Sequence, residues 1–339
     1  MNLSVLDLSP VSAGSTPAQA IRDSIAVAKA AERLGYNRYW LAEHHSMSAL
    51  AGTAPEILIA AISQQTSRIR LGSGGVMLPN YSPLKVAEVF MALEALAPGR
   101  IDLGVGRALG ADMRTGAALR AAGGEAFPQF FALLNAWLLD AGGKEPFPEH
   151  HPAHGIRAQP RGPSHPDLHL LVSSVESARF AGQVGVGMVF SEFIARTDAG
   201  PAVAAYKAAF EPSPFRSEPF AGVGLIALAA DTAEEADRLD AVRRAAMLAF
   251  VQGREGPPPS IEEAAATLAG MEDDPALRAI VGRAITGDGA MVRAALAEKL
   301  SSTGADELFV MASGPTLETR IRSLELIAGS SPTHVGEVA

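Results

Sequence analysis

The chain has 339 residues, 28 lysines and arginines against 37 aspartates and glutamates, and no cysteine, for a formal net charge of −9. Without cysteine there are no disulfides, thiolate nucleophiles or sulfur-ligated metals, and the acidic balance argues against nucleic acid or an anionic membrane as partner. With 48% hydrophobic and 19% charged residues, no charged-then-apolar leader before Leu3, and no apolar run longer than 220–230, the chain reads as a cytoplasmic globular protein.

In chain order, Leu3–Ser9 reads as a strand, and a helix follows from Pro17, with Thr16 as N-cap and proline at the first helical position. Ile21, Ile25, Ala28 and Leu34 recur at helical spacing, and Gly35 closes that helix. The alternation repeats with strand Arg38–His45, helix Ala54–Thr66, strand Ile69–Leu78 and helix Pro83–Leu96. Strand Ile101–Gly106 and helix Glu125–Leu139 follow, then strand Leu168–Ser173 with a helix from Val175. The last pairs are strand Val186–Ser191 with helix Asp198–Phe210, strand Phe220–Ala229, and strand Glu307–Ala312 with helix Leu317–Ala328. Eight strands alternating with helices predict parallel pairing and an α/β fold of the (β/α)8 TIM-barrel type. One domain over 1–339 accommodates two insertions. Residues 142–166, rich in Pro, His and Gly, follow the fourth helix, and residues 231–306, with at least three helical stretches, separate strands seven and eight.

In such a barrel the active site lies at the C-terminal ends of the strands, which selects a short list of residues. Strand three runs Leu71-Gly-Ser-Gly-Gly-Val-Met-Leu-Pro79; its paired glycines mean either a backbone other residues cannot hold or a flat ligand against the main chain. Strand two ends in Glu43-His44-His45, and a neutral imidazole can donate or accept a proton near pH 7. Strand four, Ile101-Asp-Leu-Gly-Val-Gly-Arg107, fails as a dinucleotide fingerprint because Leu109 holds the sixth position and no acidic residue closes a following strand. Arg107 instead emerges at the rim, where a guanidinium can grip a phosphate. Ser173-Ser-Val-Glu176 reads as a capping box, and a hydroxyl-bearing helix start on the neighbouring strand would complete an anion pocket with Arg107. Asp7 and Glu192 are further candidates for the mouth. His150-His151-Pro-Ala-His154 has the residue types of a zinc-hydrolase site but no periodic helix to align the rings, so no metal is expected there.

The blocks Ser4-Val-Leu-Asp-Leu-Ser-Pro10, Trp40-Leu-Ala-Glu-His-His45, Gly72-Ser-Gly-Gly-Val-Met-Leu-Pro79, Pro83-Leu-Lys-Val-Ala-Glu88 and Pro98-Gly-Arg-Ile-Asp-Leu-Gly-Val-Gly-Arg107 resemble, in order, the bacterial luciferase-like flavin monooxygenases. The resemblance is weakest across 231–306. It implies a cis peptide between Gly74 and Gly75 under the flavin ring, and Glu43 and Val76 lining that ring. It also implies His44 at the reactive face, and Arg107, Ser173, Ser174 and Ser177 at the flavin phosphate. Three positions depart from relatives: Gly106 stands where light-emitting members carry cysteine, Leu109 where proline is common, and Ser191-Glu192-Phe193 where histidine is common. The implied activity is a monooxygenase acting on a small aldehyde- or ketone-like substrate with O2 and reduced FMN from a separate NAD(P)H:flavin reductase. The alternatives are hydride transfer with the deazaflavin F420 and a non-catalytic flavin-binding protein. Ile57, Leu58 and Ala61 of the second helix and Val86, Val89, Phe90 and Leu93 of the third could bury one face on the barrel and another on a second subunit, and the resemblance favours a homodimer.

Overall fold

The computed structural model of the chain describes residues 1–141, 147–254, 256–271, 274–281 and 284–329. Its strands are β1 (Leu3–Asp7), β2 (Arg38–Leu41), β3 (Arg70–Met77), β4 (Ile101–Gly106), β5 (Asp167–Val172), β6 (Gly187–Ser191), β7 (Ala221–Ala230), β8 (Ala284–Asp288) and β9 (Glu307–Ala312). All pair in parallel, and all but β8 follow one another around a ring that closes through β7–β9 and β9–β1, giving the expected eight-stranded barrel. The helices are α1 (Pro17–Arg33), α2 (Pro55–Ser63), α3 (Pro83–Leu96), α4 (Met113–Ala118), α5 (Phe127–Ala141), α6 (Val175–Gln183), α7 (Glu192–Ala195), α8 (Gly200–Ala209), α9 (Ala233–Val251), α10 (Ile261–Leu268), α11 (Pro275–Val281), α12 (Gly289–Thr303) and α13 (Leu317–Ala328). Proline opens α1, α2 and α3, where its missing N–H has no partner to lose, and Thr16 accepts the Gln19 amide at 3.1 Å as cap of α1.

Two apolar layers result. Outward-facing strand residues such as Val5, Leu71, Leu103 and Leu168 pack against Val27, Ile59, Phe90 and Phe131 of the helices. Leu6, Trp40, Val189 and Phe309 fill the barrel itself. Trp40 needs small neighbours: a Cβ on Gly72 would stand 2.7 Å from its Nε1, and one on Gly74 3.3 Å from its Cβ. The N-terminal end of the barrel is closed by charge. Asp102 binds Arg38 at 2.7 Å and Arg70 at 2.5 Å, and Asp167 binds Arg216 at 2.5 Å and lies 3.2 Å from His169 Nε2. Burial pushes both carboxyls up, but Arg38 and Arg70 outweigh it at Asp102, and His169 and Arg216 at Asp167, so both stay below the usual range.

Three elements went unanticipated, the four-residue α7 directly after β6 being one. α4 has no periodic apolar face and is set by its Asp112 cap. β8 is a five-residue strand inside the second insertion, pairing with the last five residues of β7 along the edge that β6 leaves free after Gly224. The expected helices of that insertion are present as α9 to α12, and α9, α10 and α11 share a small core of their own. Part of the first insertion, 142–146, lies outside the described residues; 147–166 forms no helix or strand.

Candidate active site at the barrel mouth

β2 stops at Leu41, earlier than expected, and the following residues turn across the rim. Glu43 is fully buried there. Its Oε1 accepts from Asn80 Nδ2 at 3.1 Å and from Tyr81 Oη at 3.0 Å, and lies 2.8 Å from His45 Nε2; its Oε2 accepts the Met77 amide at 3.0 Å. Glu43, expected beside the ring, is buried here and fixes the chain that leaves β3. Burial and the Glu43 carboxylate push the Tyr81 phenol up, so it remains a donor.

The Gly74–Gly75 bond is cis, as the resemblance implies. Pairing between β3 and β4 slips there: Gly74 faces Gly104, and Val76 faces Val105. A Cβ on Gly75 would stand 2.8 Å from the Gly104 carbonyl oxygen and one on Gly104 2.2 Å from that of Ser73, so close approach of two backbones already accounts for these glycines. After the slip, the Val76 side chain sits in the layer between strands and helices, leaving only its main chain to face the mouth.

The anion end takes shape on β4 and β5. Their register pairs Val105 with Leu170; continued, it sets Arg107 beside Val172, one residue before Ser173. Arg107 is exposed and pairs with no carboxylate among the described residues. The cap of α6 is Ser174, one residue later than the capping box suggested. Its Oγ accepts the Ser177 amide at 3.2 Å and lies 3.2 Å from the Ser177 hydroxyl. That shift leaves the exposed Ser173 hydroxyl outside the cap.

His44 belongs to a different part of the mouth. It lines a cavity of about 1540 Å³, bounded by β1, the turns after β2 and β6, β7, the residues after β9, and the insertion helices α9 and α11. Of the predicted cofactor or catalytic residues only His44 is in this lining. Its Nδ1 is buried without a hydrogen-bond partner, and burial, with His45 beside it, lowers its pKa. Asp7 and Glu192 also border the cavity but are committed to protein partners. Asp7 binds Arg320 at 2.6 Å and accepts the Tyr39 hydroxyl, and Glu192 binds Lys299 at 3.1 Å and accepts the Ala199 amide at 3.0 Å.

Asn80, Tyr81 and Ser313 were missed. Ser313 follows the eighth barrel strand, where the strand-end rule would have found it. The histidines of 150–154 do not converge: His151 stacks on Phe147 and accepts the Ala153 amide, while His154 Nδ1 lies 2.9 Å from the Phe147 carbonyl oxygen. Among the described residues the group with metal-like spacing is Asp102, Asp167 and His169, at the opposite end of the barrel and paired with arginines.

A closed parallel barrel whose polar strand ends gather at one mouth has the layout of a barrel enzyme. The sequence pattern of the luciferase-like monooxygenases matches residues 1–307, and the chain belongs to that family of oxidoreductases. It is 38% identical to the luciferase-like monooxygenase of Escherichia coli (strain K12) over 327 residues, 95% of each chain. It is 42% identical to the N-acetyl-S-alkylcysteine monooxygenase of Bacillus subtilis (strain 168) over 194 residues, 57% of this chain and 58% of that one. The crystal structure of apo-MsnO8 superposes with a TM-score of 0.88 at 38% identity, covering 97% of both chains. Two more distant structures share the fold. They are the oxygenating constituent of 3,6-diketocamphane monooxygenase from Pseudomonas putida in complex with FMN (TM-score 0.68, 20% identity, 97% and 96% covered) and an F420-dependent secondary alcohol dehydrogenase in complex with an F420-acetone adduct (0.66, 15%, 98% and 100%).

Proposed function

We propose that the chain is an FMN-dependent monooxygenase that oxygenates an aldehyde- or ketone-like substrate with O2, using reduced FMN delivered by a separate NAD(P)H:flavin reductase. The observation that carries this reading is Arg107: an exposed guanidinium without a carboxylate partner, one strand from a helix start that bears free and capping hydroxyls. A dianionic phosphate suits that end, with Arg107 and Ser173 binding it and Ser174 and Ser177 presenting the helix start. The main chain of Gly74, Gly75 and Val76, held by Glu43 through Met77, would support the plane of the ring. When bound, reduced FMN would supply the electrons that activate O2. His44, neutral because burial lowers its pKa, would hold or take a proton at Nδ1, and the roof of α9 and α11 would exclude water.

Hydride transfer with F420 is the second reading, supported by the fold shared with the F420-dependent dehydrogenase and by the same anion end. Titrating the purified chain with FMN, riboflavin and F420 separates them. FMN should bind more tightly than riboflavin, and Arg107→Ala should weaken FMN by about 1.5–3 kcal/mol, the usual range for a charge-assisted hydrogen bond. Equal affinities for FMN and riboflavin would remove the phosphate assignment, and tight binding of F420 alone would select the second reading.

A homodimer is part of the proposal. Leu58, Val86, Phe90 and Leu93 pack inward on the barrel, but Ile57 of α2 and Leu96 of α3 are 67% and 55% exposed, an apolar surface suited to a second copy. A monomeric mass in sedimentation velocity would remove this part alone. No helix among the described residues is long and apolar enough to cross a membrane.

A further inference from the structure

The cavity beneath α9 and α11 is lined mainly by apolar side chains, among them Leu6, Leu8, Phe193, Ile226, Val242 and Met311. Its charges are already answered from within the protein. Arg243 binds Asp240 through Nε at 2.7 Å and through its terminal nitrogen at 2.9 Å, and Lys299 lies 3.1 Å from Glu192 and 3.2 Å from Asp198. Arg196 and Arg254 stand at the exposed rim and donate to Ala279 O and Gln252 Oε1. Among the described residues, therefore, no buried cation is left to receive a carboxylate, which would lose its hydration without compensation.

Two buried polar atoms of the lining have no hydrogen-bond partner, His44 Nδ1 and Ser313 Oγ. β1 pairs with β2 at Asp7–Leu41 and with β9 at Leu6–Met311, so Ser313 and His44 flank the segment that continues from β1 on its two sides. Ser313 is held by the turn that follows it. A Cβ on Gly314 would stand 2.8 Å from the Arg320 amide nitrogen, so the chain is seated directly on the start of α13. A hydroxyl on a fixed backbone, buried and unpaired at the wall of an apolar cavity, is the feature expected of a group that orients a ligand.

We propose that Ser313 is a substrate-binding residue whose hydroxyl donates to the carbonyl oxygen of an uncharged, otherwise apolar substrate. This rests on the cavity being the substrate site of the proposed enzyme, so the test reads binding without flavin. In the full-length chain, the neutral dye N-phenyl-1-naphthylamine is displaced by cyclododecanone, cyclododecane or cyclododecanecarboxylate. The ketone should displace it most tightly, and the carboxylate roughly tenfold more weakly or worse. In Ser313→Ala the ketone should weaken roughly three- to tenfold, as for loss of one neutral hydrogen bond, with the hydrocarbon unchanged. Ser313→Thr, which keeps the hydroxyl, should restore most of the loss. Without ligand, Ser313→Ala should melt no lower than the parent, because an unpaired buried hydroxyl gives the fold nothing. An unchanged ketone affinity, an equal loss for ketone and hydrocarbon, a preference for the carboxylate, or no displacement by any of the three overturns the proposal. FMN titration of the same preparations reports separately on the flavin reading.

Discussion

Glu43 and His44 are neighbours with opposite surroundings. The carboxylate is saturated by four protein groups, while the imidazole keeps one buried nitrogen free at the cavity wall. Because burial lowers the His44 pKa, the unfolded chain takes up this proton near pH 6.5, and the folded chain only at lower pH. The associated stability is complete above about pH 6.5 and is lost as pH falls from there through the folded value. Urea unfolding between pH 7.5 and 5 should show that decline, and His44→Gln should lack it; parallel curves would reject the assignment. That His44 would stand at the mouth was legible from the strand-end rule, and it lines the cavity there. The enclosure of Glu43 was not, because Asn80 and Tyr81 sit almost forty positions away and meet it only when β2 and β3 pair.

At the scale of elements, the glycines of β3 and β4 act as spacers between strands that almost touch. Gly104→Ala places a methyl 2.2 Å from the Ser73 carbonyl oxygen, so the strands must part, at a cost on the order of 3 kcal/mol. Gly256→Ala, which meets nothing within 4 Å, should stay within about 0.5 kcal/mol. Chemical denaturation of the two variants reads the difference, and similar midpoints would mean that the β3–β4 approach is looser than described. The main barrel elements were legible because hydrophobic period and proline or glycine punctuation agree. β8 was not: Ala284-Ile-Thr-Gly-Asp288 is short, lies among helices and owes its strand geometry to one partner. The single-residue offset of the α6 cap was hidden too, since Glu176 three residues on favours Ser173 as cap, whereas the chain caps with Ser174.

For the whole molecule, the two ends of the barrel divide the labour. Ion pairs close the N-terminal end, and the unpaired buried atoms that face the cavity, His44 Nδ1 and Ser313 Oγ, lie at the other, which is where a barrel enzyme works. Arg38 spans Asp102 at 2.7 Å and Glu307 at 3.4 Å, and replacing it with methionine leaves buried carboxylates short of a partner, costing about 3–5 kcal/mol. Asp102 and Asp167 have depressed pKa values, so their stabilisation is present above about pH 3.9 and disappears as pH falls through the folded values. Arg38→Met, which removes the first of the charges that lower Asp102, should therefore unfold at higher pH in an acid titration followed by circular dichroism. An unchanged acid midpoint would count against it. Closure of the barrel was legible from the count of eight strands, but this ionic plug was not, since its members are spread from Arg38 to Glu307 and meet only once the ring is shut.

β7 runs three residues past its pairing with β9 and six past its pairing with β6, and the free edge left beyond β6 carries β8 and, with it, the canopy over the mouth. The canopy packs around an apolar kernel of its own at 241–281, while Ala236 and Leu239 of α9 seat it on Leu228 and Ala230 of β7. Repacking that kernel, through Ala241, Val242, Ala245 and Leu248 of α9, is therefore expected to reshape the ceiling of the cavity while the staves keep their register.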